Sequence, residues 1–589
     1  MRCATPLGDF SDFFRVMLTE ASLHRLTWRR PSCGALAWHA RSASGPVGGS
    51  ASGSVTRHGV RCVWLLLALA ACSTEGGRQN GPSNELLIVA YDREPDTLNR
   101  FSTHILEDVQ TCVVEGLVTT DENMKVVPLL ATEVPTPDNG GVVMRTDGGM
   151  DVTWKLRPGV KWHDGVSFTS ADVKFTVEAI NSPNYNPEST DGFDRILSVD
   201  TPDALTAVVH YREKYAPYDI QFIRGTFPKH ILEGKDIDRA LEYNRNPLGT
   251  GPYRVTEWKS GEYILLDKVP GYWRGPDYPK IKRILFKFIP NTTTRMNQLK
   301  SGEAHLAALV PWDKYRELKD VPSLTIHRMM GNSYEHITLN ERAVPAFRDV
   351  RVRRALIHAI DRELLVKTIL DGLAPVIDGP IQPLSWAYTD SVMKYPYDTA
   401  KARALLAEAG WNDVNGDGTR EKDGQPLAFT LMTQAGFAIR ENIAQAVQRQ
   451  LHDVGVDVKI QLVDGTAISS LWFDGKFDAM LHWWHMPSDP EITLFFASDR
   501  TPPAGRNINF IADDSLDKLM YASDKTVTRA PRRALLVAAQ QRLAELAPEI
   551  PLYNVTRLDA VPKGLRNFKG NPTNTGIFWN VWEWEFAPQ

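Results

Sequence analysis

Residues 151–180, DVTWKLRPGVKWHDGVSFTSADVKFTVEAI, restrict the fold more than any other stretch of the chain. Alternation from Thr153 to Leu156 predicts a strand, Arg157-Pro158-Gly159 a turn, and Val160 to His163 a returning strand. Asp164-Gly165 closes a second turn. Thr169-Ser170-Ala171-Asp172 then reads as a capping box, with Val173, Phe175, Val177 and Ile180 on the apolar face of the helix it starts. His163 beside Asp164 imitates a catalytic pair, but their place at a hairpin tip gives them a structural reading.

A second constrained stretch is Gly249-Thr250-Gly251-Pro252-Tyr253-Arg254-Val255-Thr256-Glu257-Trp258. Its glycines allow backbone conformations closed to other residues, Pro252 fixes a torsion beside them, and the alternation from Tyr253 predicts a strand. At 589 residues the chain is too long for one core, so two or three lobes are expected. A net charge of -4 argues against nucleic acid or anionic lipid as the main partner. Cys3, Cys33, Cys62 and Cys72 precede residue 73, leaving Cys112 alone in the body, where it reads as a buried apolar residue.

Val63 to Ala71 reads VWLLLALAA, with Arg57, His58 and Arg61 before it and Cys72-Ser73 after it. This is a basic region and a short apolar region, well under the roughly 20 residues of a spanning helix. Leu69-Ala70-Ala71-Cys72 resembles the lipobox of bacterial lipoproteins, which implies cleavage before Cys72 and a lipid on its thiol. Residues 1–58 place the apolar region too deep for a signal peptide and read as a mis-started or disordered leader. Residues 59–71 are then the signal peptide and 72–85 a tether.

Several further segments share one resemblance. Leu86 to Ala90 reads as a buried strand followed by Glu94-Pro95-Asp96-Thr97-Leu98-Asn99; Pro128-Leu129-Leu130-Ala131, Gly302-Glu303-Ala304-His305 and Pro548-Glu549-Ile550-Pro551-Leu552-Tyr553 follow in order. With the two stretches above, they resemble the extracytoplasmic solute-binding proteins of family 5, which serve dipeptide and oligopeptide ABC importers. The resemblance implies an α/β fold of the periplasmic-binding-protein type II kind, two hinged lobes with an extra subdomain inserted in lobe one. It divides the body into lobe I (86–128, 248–330 and 553–589), the inserted subdomain (129–247) and lobe II (331–552). Asp349 is a candidate cap for the helix carrying Arg351, Arg353 and Arg354; these read as solvated surface, with carboxylate capture the alternative.

The same resemblance implies a cleft between the lobes and places Glu94, Trp312 and Asn340 at it. It also places Trp483, Trp484, His485, Met486 and Asp489 there, at the end of a strand beginning near Lys476. In dipeptide binders of the family an acid three residues after the first of these tryptophans receives the peptide ammonium; here that position is Met486. An unpaired buried ammonium is costly, so the usual clamp is missing unless Asp489 or Glu94 replaces it. On one strand His482 and His485 point to opposite faces, which opposes a shared metal. Asp413 to Gly418 has oxygen ligands at positions 1, 3 and 5 of a calcium-type loop, but Gly424 stands where position 12 needs Glu. The loop reads as an Asx/Gly turn, with calcium the alternative.

No hydrolase, zinc-protease or phosphate-loop motif is present, so an enzyme is not expected. The expectation is a monomeric, lipid-anchored extracytoplasmic protein that needs no cofactor. It captures peptides or peptide-like solutes for an ABC permease and ATPase. Alternatives are the same scaffold with an oligosaccharide, capped peptide or metal or haem chelate, or a lipoprotein sensor or chaperone without a permease.

Overall fold

The computed structural model describes residues 82–103, 108–190, 192–573 and 575–587. The leader, signal segment, Cys72 and most of the tether lie outside them. In chain order the strands used below are β1 (Leu87–Tyr91), β2 (Val142–Met144), β3 (Met150–Lys155), β4 (Ile196–Asp203), β5 (Thr206–Tyr211), β6 (Tyr253–Lys259) and β7 (Tyr263–Lys268). They continue as β8 (Arg283–Phe288), β9 (Leu306–Ala307), β10 (Leu324–Leu339), β11 (Ala428–Gln434), β12 (Asp457–Val463), β13 (Ala479–His485) and β14 (Glu549–Pro562). The helices needed are α1 (Ser170–Ile180), α2 (Val350–Ala359), α3 (Ala438–His452), α4 (Asp514–Asp524) and α5 (Arg529–Leu546).

One sheet has the order β12-β11-β13-β10-β14-β9-β1-β8-β7-β6, and a separate four-stranded sheet has the order β2-β3-β5-β4. The central pair, β10 and β14, is antiparallel and unusually long, at 16 and 14 residues. Its register breaks between Met330 and Tyr334, around Gly331. A side chain at Gly331 would lie 2.6 Å from the Val555 carbonyl oxygen, so the bend needs glycine for closeness of approach. On one side of the break β10 pairs with β14 residues 556–562; on the other it pairs with residues 549–554.

The Gly249–Trp258 stretch is anchored by contact rather than by unusual torsions. A Cβ at Gly249 would stand 1.8 Å from the Val113 carbonyl oxygen, and Gly251 N–H donates to that same oxygen (2.9 Å). Neither glycine has a positive φ, so close backbone packing replaces the expected dihedral reason. The 151–180 stretch meets it directly: His163 N–H donates to the Gly249 carbonyl (2.9 Å) and His163 Nε2–H to the Gly251 carbonyl (3.0 Å). His163 is therefore a structural clip, and burial pushes its pKa down to about 4.

Two expectations need correction. Val160 to His163 does not return along β3; residues 160–168 form a tight hairpin of their own, with Lys161 opposite Ser167. The edges of β3 are already taken by β2 and β5, so no place remains for it. Arg353 and Arg354 are not solvated surface, and Arg353 already pairs with a carboxylate of the protein, that of Glu341 (2.9 Å). Arg353 is buried and donates to the carbonyls of Leu546 and Ala547, while Arg354 donates to that of Glu545. They satisfy the carbonyls at the C-terminal end of α5, where cations also complement the helix dipole. Asp349 does cap α2, its carboxylate accepting from Arg351 N–H (2.9 Å). Cys112 is fully buried.

Candidate functional site

Strands β11 and β12 are parallel, and β13 runs parallel to β11. Their carboxyl ends, at Gln434, Val463 and His485, therefore lie along one edge of the sheet, where the amino end of α3 also begins. Open α/β sheets bind ligands in the crevice outside such carboxyl ends.

Strand alternation sorts the candidates on β13. Trp483 lies opposite Glu335 of β10, which in turn lies opposite Tyr553 of β14. Residues directly opposite share a face, so these three form one row across the strands. Tyr553 packs on Trp312 with ring centroids 5.7 Å apart, and Trp312 Nε1–H donates to the Thr556 carbonyl (2.7 Å). The row thus links Trp483 with Trp312, two tryptophans far apart in sequence. His485, two residues on, shares this face and hydrogen-bonds through Nδ1 to the Ser333 hydroxyl (2.9 Å).

The opposite face of β13 is core. Trp484 is buried against His482 and Phe495, at centroid distances of 4.8 and 5.2 Å. His482 Nε2 meets the Thr338 hydroxyl (2.8 Å), and His336 lies beside it. Burial lowers the pKa of His482 well below the usual range and that of His336 to about 3, so both imidazoles are neutral. His482 and His485 are therefore separated by the sheet, as alternation predicts.

Four expected cleft residues are engaged within the protein. Asn340 is fully buried; its amide donates to the Gly475 and Phe477 carbonyls and its oxygen accepts from Arg342 and Ala343 N–H. It therefore folds the 340–343 turn, with its side-chain amide engaged inside the protein. Met486 is buried in the apolar cluster behind β13, with its backbone paired to Asn332. The Asp489 carboxylate is buried and takes two hydrogen bonds from Arg532 (2.6 and 2.5 Å). Glu94 accepts from Trp258 Nε1–H (2.6 Å) and Gly261 N–H (2.9 Å), tying the loop after β1 to the β6–β7 hairpin.

Sequence reasoning missed Phe437, Arg440, Glu335 and Tyr553. Arg440, near the start of α3, is buried and donates to both oxygens of the buried Glu335 (2.5 and 3.3 Å). Its guanidinium lies 5.1 Å from the Phe437 ring and 5.5 Å from the Trp483 ring. Those two rings are 49% and 50% exposed, which is unusual for side chains of their size. The available signal was an aromatic residue just before a helix with an arginine one turn inside it.

In the 413–424 loop, carboxylate oxygens of Asp413, Asp417 and Glu421 lie within 4.8 Å of one another. Asp413 accepts from Gly416 and Gly418 N–H and Glu421 from Val414 N–H, which are the bonds of a self-capped turn. Among the described residues no helix is long and apolar enough to cross a membrane.

Comparison with known proteins agrees with this architecture. Residues 125–502 match the family described as bacterial extracellular solute-binding proteins, family 5 middle. The chain is 32% identical to the oligopeptide-binding protein AppA of Bacillus subtilis over 545 residues, covering 89% of this chain and 97% of the relative. It is 27% identical to the glutathione-binding protein GsiB of Pectobacterium atrosepticum, covering 77% and 85%. Among solved structures, B. subtilis AppA in complex with a nonapeptide superposes with a TM-score of 0.68 at 31% identity, over 86% of this chain and all of that one. NikZ of Campylobacter jejuni in complex with Ni(L-His) superposes with a TM-score of 0.71 at 28% identity, with the same coverage. The chain belongs to family 5 of the bacterial extracellular solute-binding proteins.

Proposed function

We propose that this protein captures peptides or peptide-like solutes outside the cytoplasm and delivers them to an ABC permease. The observation that carries the reading is the row Trp312–Tyr553–Glu335–Trp483, which runs across the sheet from the partly buried Trp312 through buried residues to the half-exposed Trp483 near the carboxyl end of β13. An aromatic face at the ends of strands suits an extended chain, which offers both side chains and backbone. The similarity to an oligopeptide-binding protein along nearly its whole length supports the same solute class.

In this reading, residues 86–128, 248–330 and 553–589 form one lobe, 331–552 the other, and 129–247 an inserted subdomain. The bend at Gly331 in β10, and the facing part of β14, are the hinge about which the lobes close on solute. The chain acts as a monomer, held to the membrane by a lipid on Cys72.

One observation favours a second reading, a solute without a free ammonium. Met486 is packed into the core and Asp489 is spent on Arg532, so neither supplies a counter-charge. Titrating the protein with separate pools of free peptides, oligosaccharides and nickel–histidine complex distinguishes the readings. Binding of the peptide pool supports the first; binding only of the other pools replaces it.

A further inference from the structure

The acids that the sequence or the sheet register places at the candidate cleft are engaged within the protein. Glu335 is paired with Arg440, Asp489 with Arg532, and Glu94 is held by an indole and a backbone N–H. Asp219 and Asp524 lie in the field of Arg532, Asp219 also in that of Arg529. An ammonium arriving at one of these acids would have to take it from a guanidinium or from its hydrogen-bond donors, and Glu441, one turn after Phe437, already accepts from Gly436 N–H (2.7 Å). For a buried bidentate pair such an exchange is costly, because it strands the arginine.

What the edge does offer is apolar. Phe437 and Trp483 are each about half exposed, and both contact the Arg440 guanidinium. Glu335 neutralises that guanidinium from within the sheet and fixes it in place, so the two rings are held by one rigid, charge-balanced support. A guanidinium against aromatic faces is itself favourable, which further reduces its need for an outside anion. The exposed ring surfaces remain the part of this support with contacts still to make.

We infer that the protein selects its solute through an apolar or aromatic side chain seated against Phe437 and Trp483, over the neutralised Arg440–Glu335 pair, and not through a terminal ammonium. The inference rests on the peptide reading above and narrows it. Phe437 is the specificity-determining residue it adds. Such a subsite accepts internal segments and end-blocked peptides as readily as free ones.

The test uses the full-length protein and nonapeptides of glycine and alanine, with and without one phenylalanine placed at each position in turn. Each pool is titrated calorimetrically, free and N-acetylated, into the native protein and Phe437→Ala. Expected are about tenfold tighter binding of the phenylalanine pool, loss of that gain in Phe437→Ala, and a change of under about threefold on acetylation. Phe437 is half exposed, so the variant is expected to keep the native unfolding midpoint; Trp483→Leu gives a second variant for the same comparison. Weakening by about tenfold or more on acetylation overturns the inference, as does an unchanged phenylalanine gain in both variants. If no peptide pool binds at all, the peptide reading falls and this inference falls with it.

Discussion

Arg532 grips Asp489 with two short hydrogen bonds in a setting where both side chains are more than nine-tenths buried. Removing one partner leaves the other charge buried and uncompensated. Asp489→Ala is expected to lower stability by about 3–5 kcal/mol in urea unfolding, and the double change Asp489→Leu with Arg532→Met by much less. Equal losses in single and double variants would contradict this. A second residue-scale consequence concerns Glu549. It is buried, accepts a hydrogen bond from the Tyr334 hydroxyl (2.8 Å), and burial pushes its pKa up to about 8. The folded state therefore keeps a proton that the unfolded chain releases near the usual carboxylate value. Its contribution is fully present at low pH and fades as pH rises toward 8, by up to about 1.4 kcal/mol per unit. Glu549→Gln keeps a neutral side chain at every pH, so its stability relative to the native protein should grow between pH 5 and 8. A pH-independent difference would refute the assignment. Neither feature was legible beforehand. Sequence reveals an acid near Pro490, but not that an arginine 43 positions later reaches it.

At the scale of elements, much was legible where local chemistry decides the structure. Asp172 was identified as part of a capping box, and its carboxylate does accept from Thr169 N–H (2.9 Å). It also accepts from Lys229 N–H (3.0 Å), so one side chain joins the start of α1 to a distant segment. Asp172→Ala should therefore cost more than an ordinary cap, about 2–3 kcal/mol, read as a shift in the urea midpoint. A loss of well under 1 kcal/mol would show that water replaces both bonds. Local chemistry failed where a distant partner decides. The glycines of Gly249–Gly251 looked like torsional devices, yet what excludes a side chain is the Val113 carbonyl. Arg353 and Arg354 of α2 looked like surface charge because their acceptors, the final carbonyls of α5, are nearly 200 positions away. Strand pairing of residues 160–163 failed for the same reason, since β5 claims the edge from further along the chain.

For the whole molecule, the α/β class and the family were carried by ordered segments spread along the chain. The candidate site was legible only in part. Trp483 and Trp312 were expected at the cleft, and the register across β13, β10 and β14 brings them into one row through Glu335 and Tyr553. Trp484, adjacent in sequence, falls on the core side because alternation turns it away. The proposed solute-binding edge is the carboxyl ends of β11, β12 and β13, where Trp483 is half exposed. The most direct test is calorimetric titration of the free nonapeptide pool into the native protein and Trp483→Ala, side by side. Saturable binding of one peptide per chain, weakened about tenfold or more by the substitution, is the predicted result. Peptide binding that Trp483→Ala leaves unchanged would place the solute elsewhere, and no peptide binding by either protein would contradict the function itself.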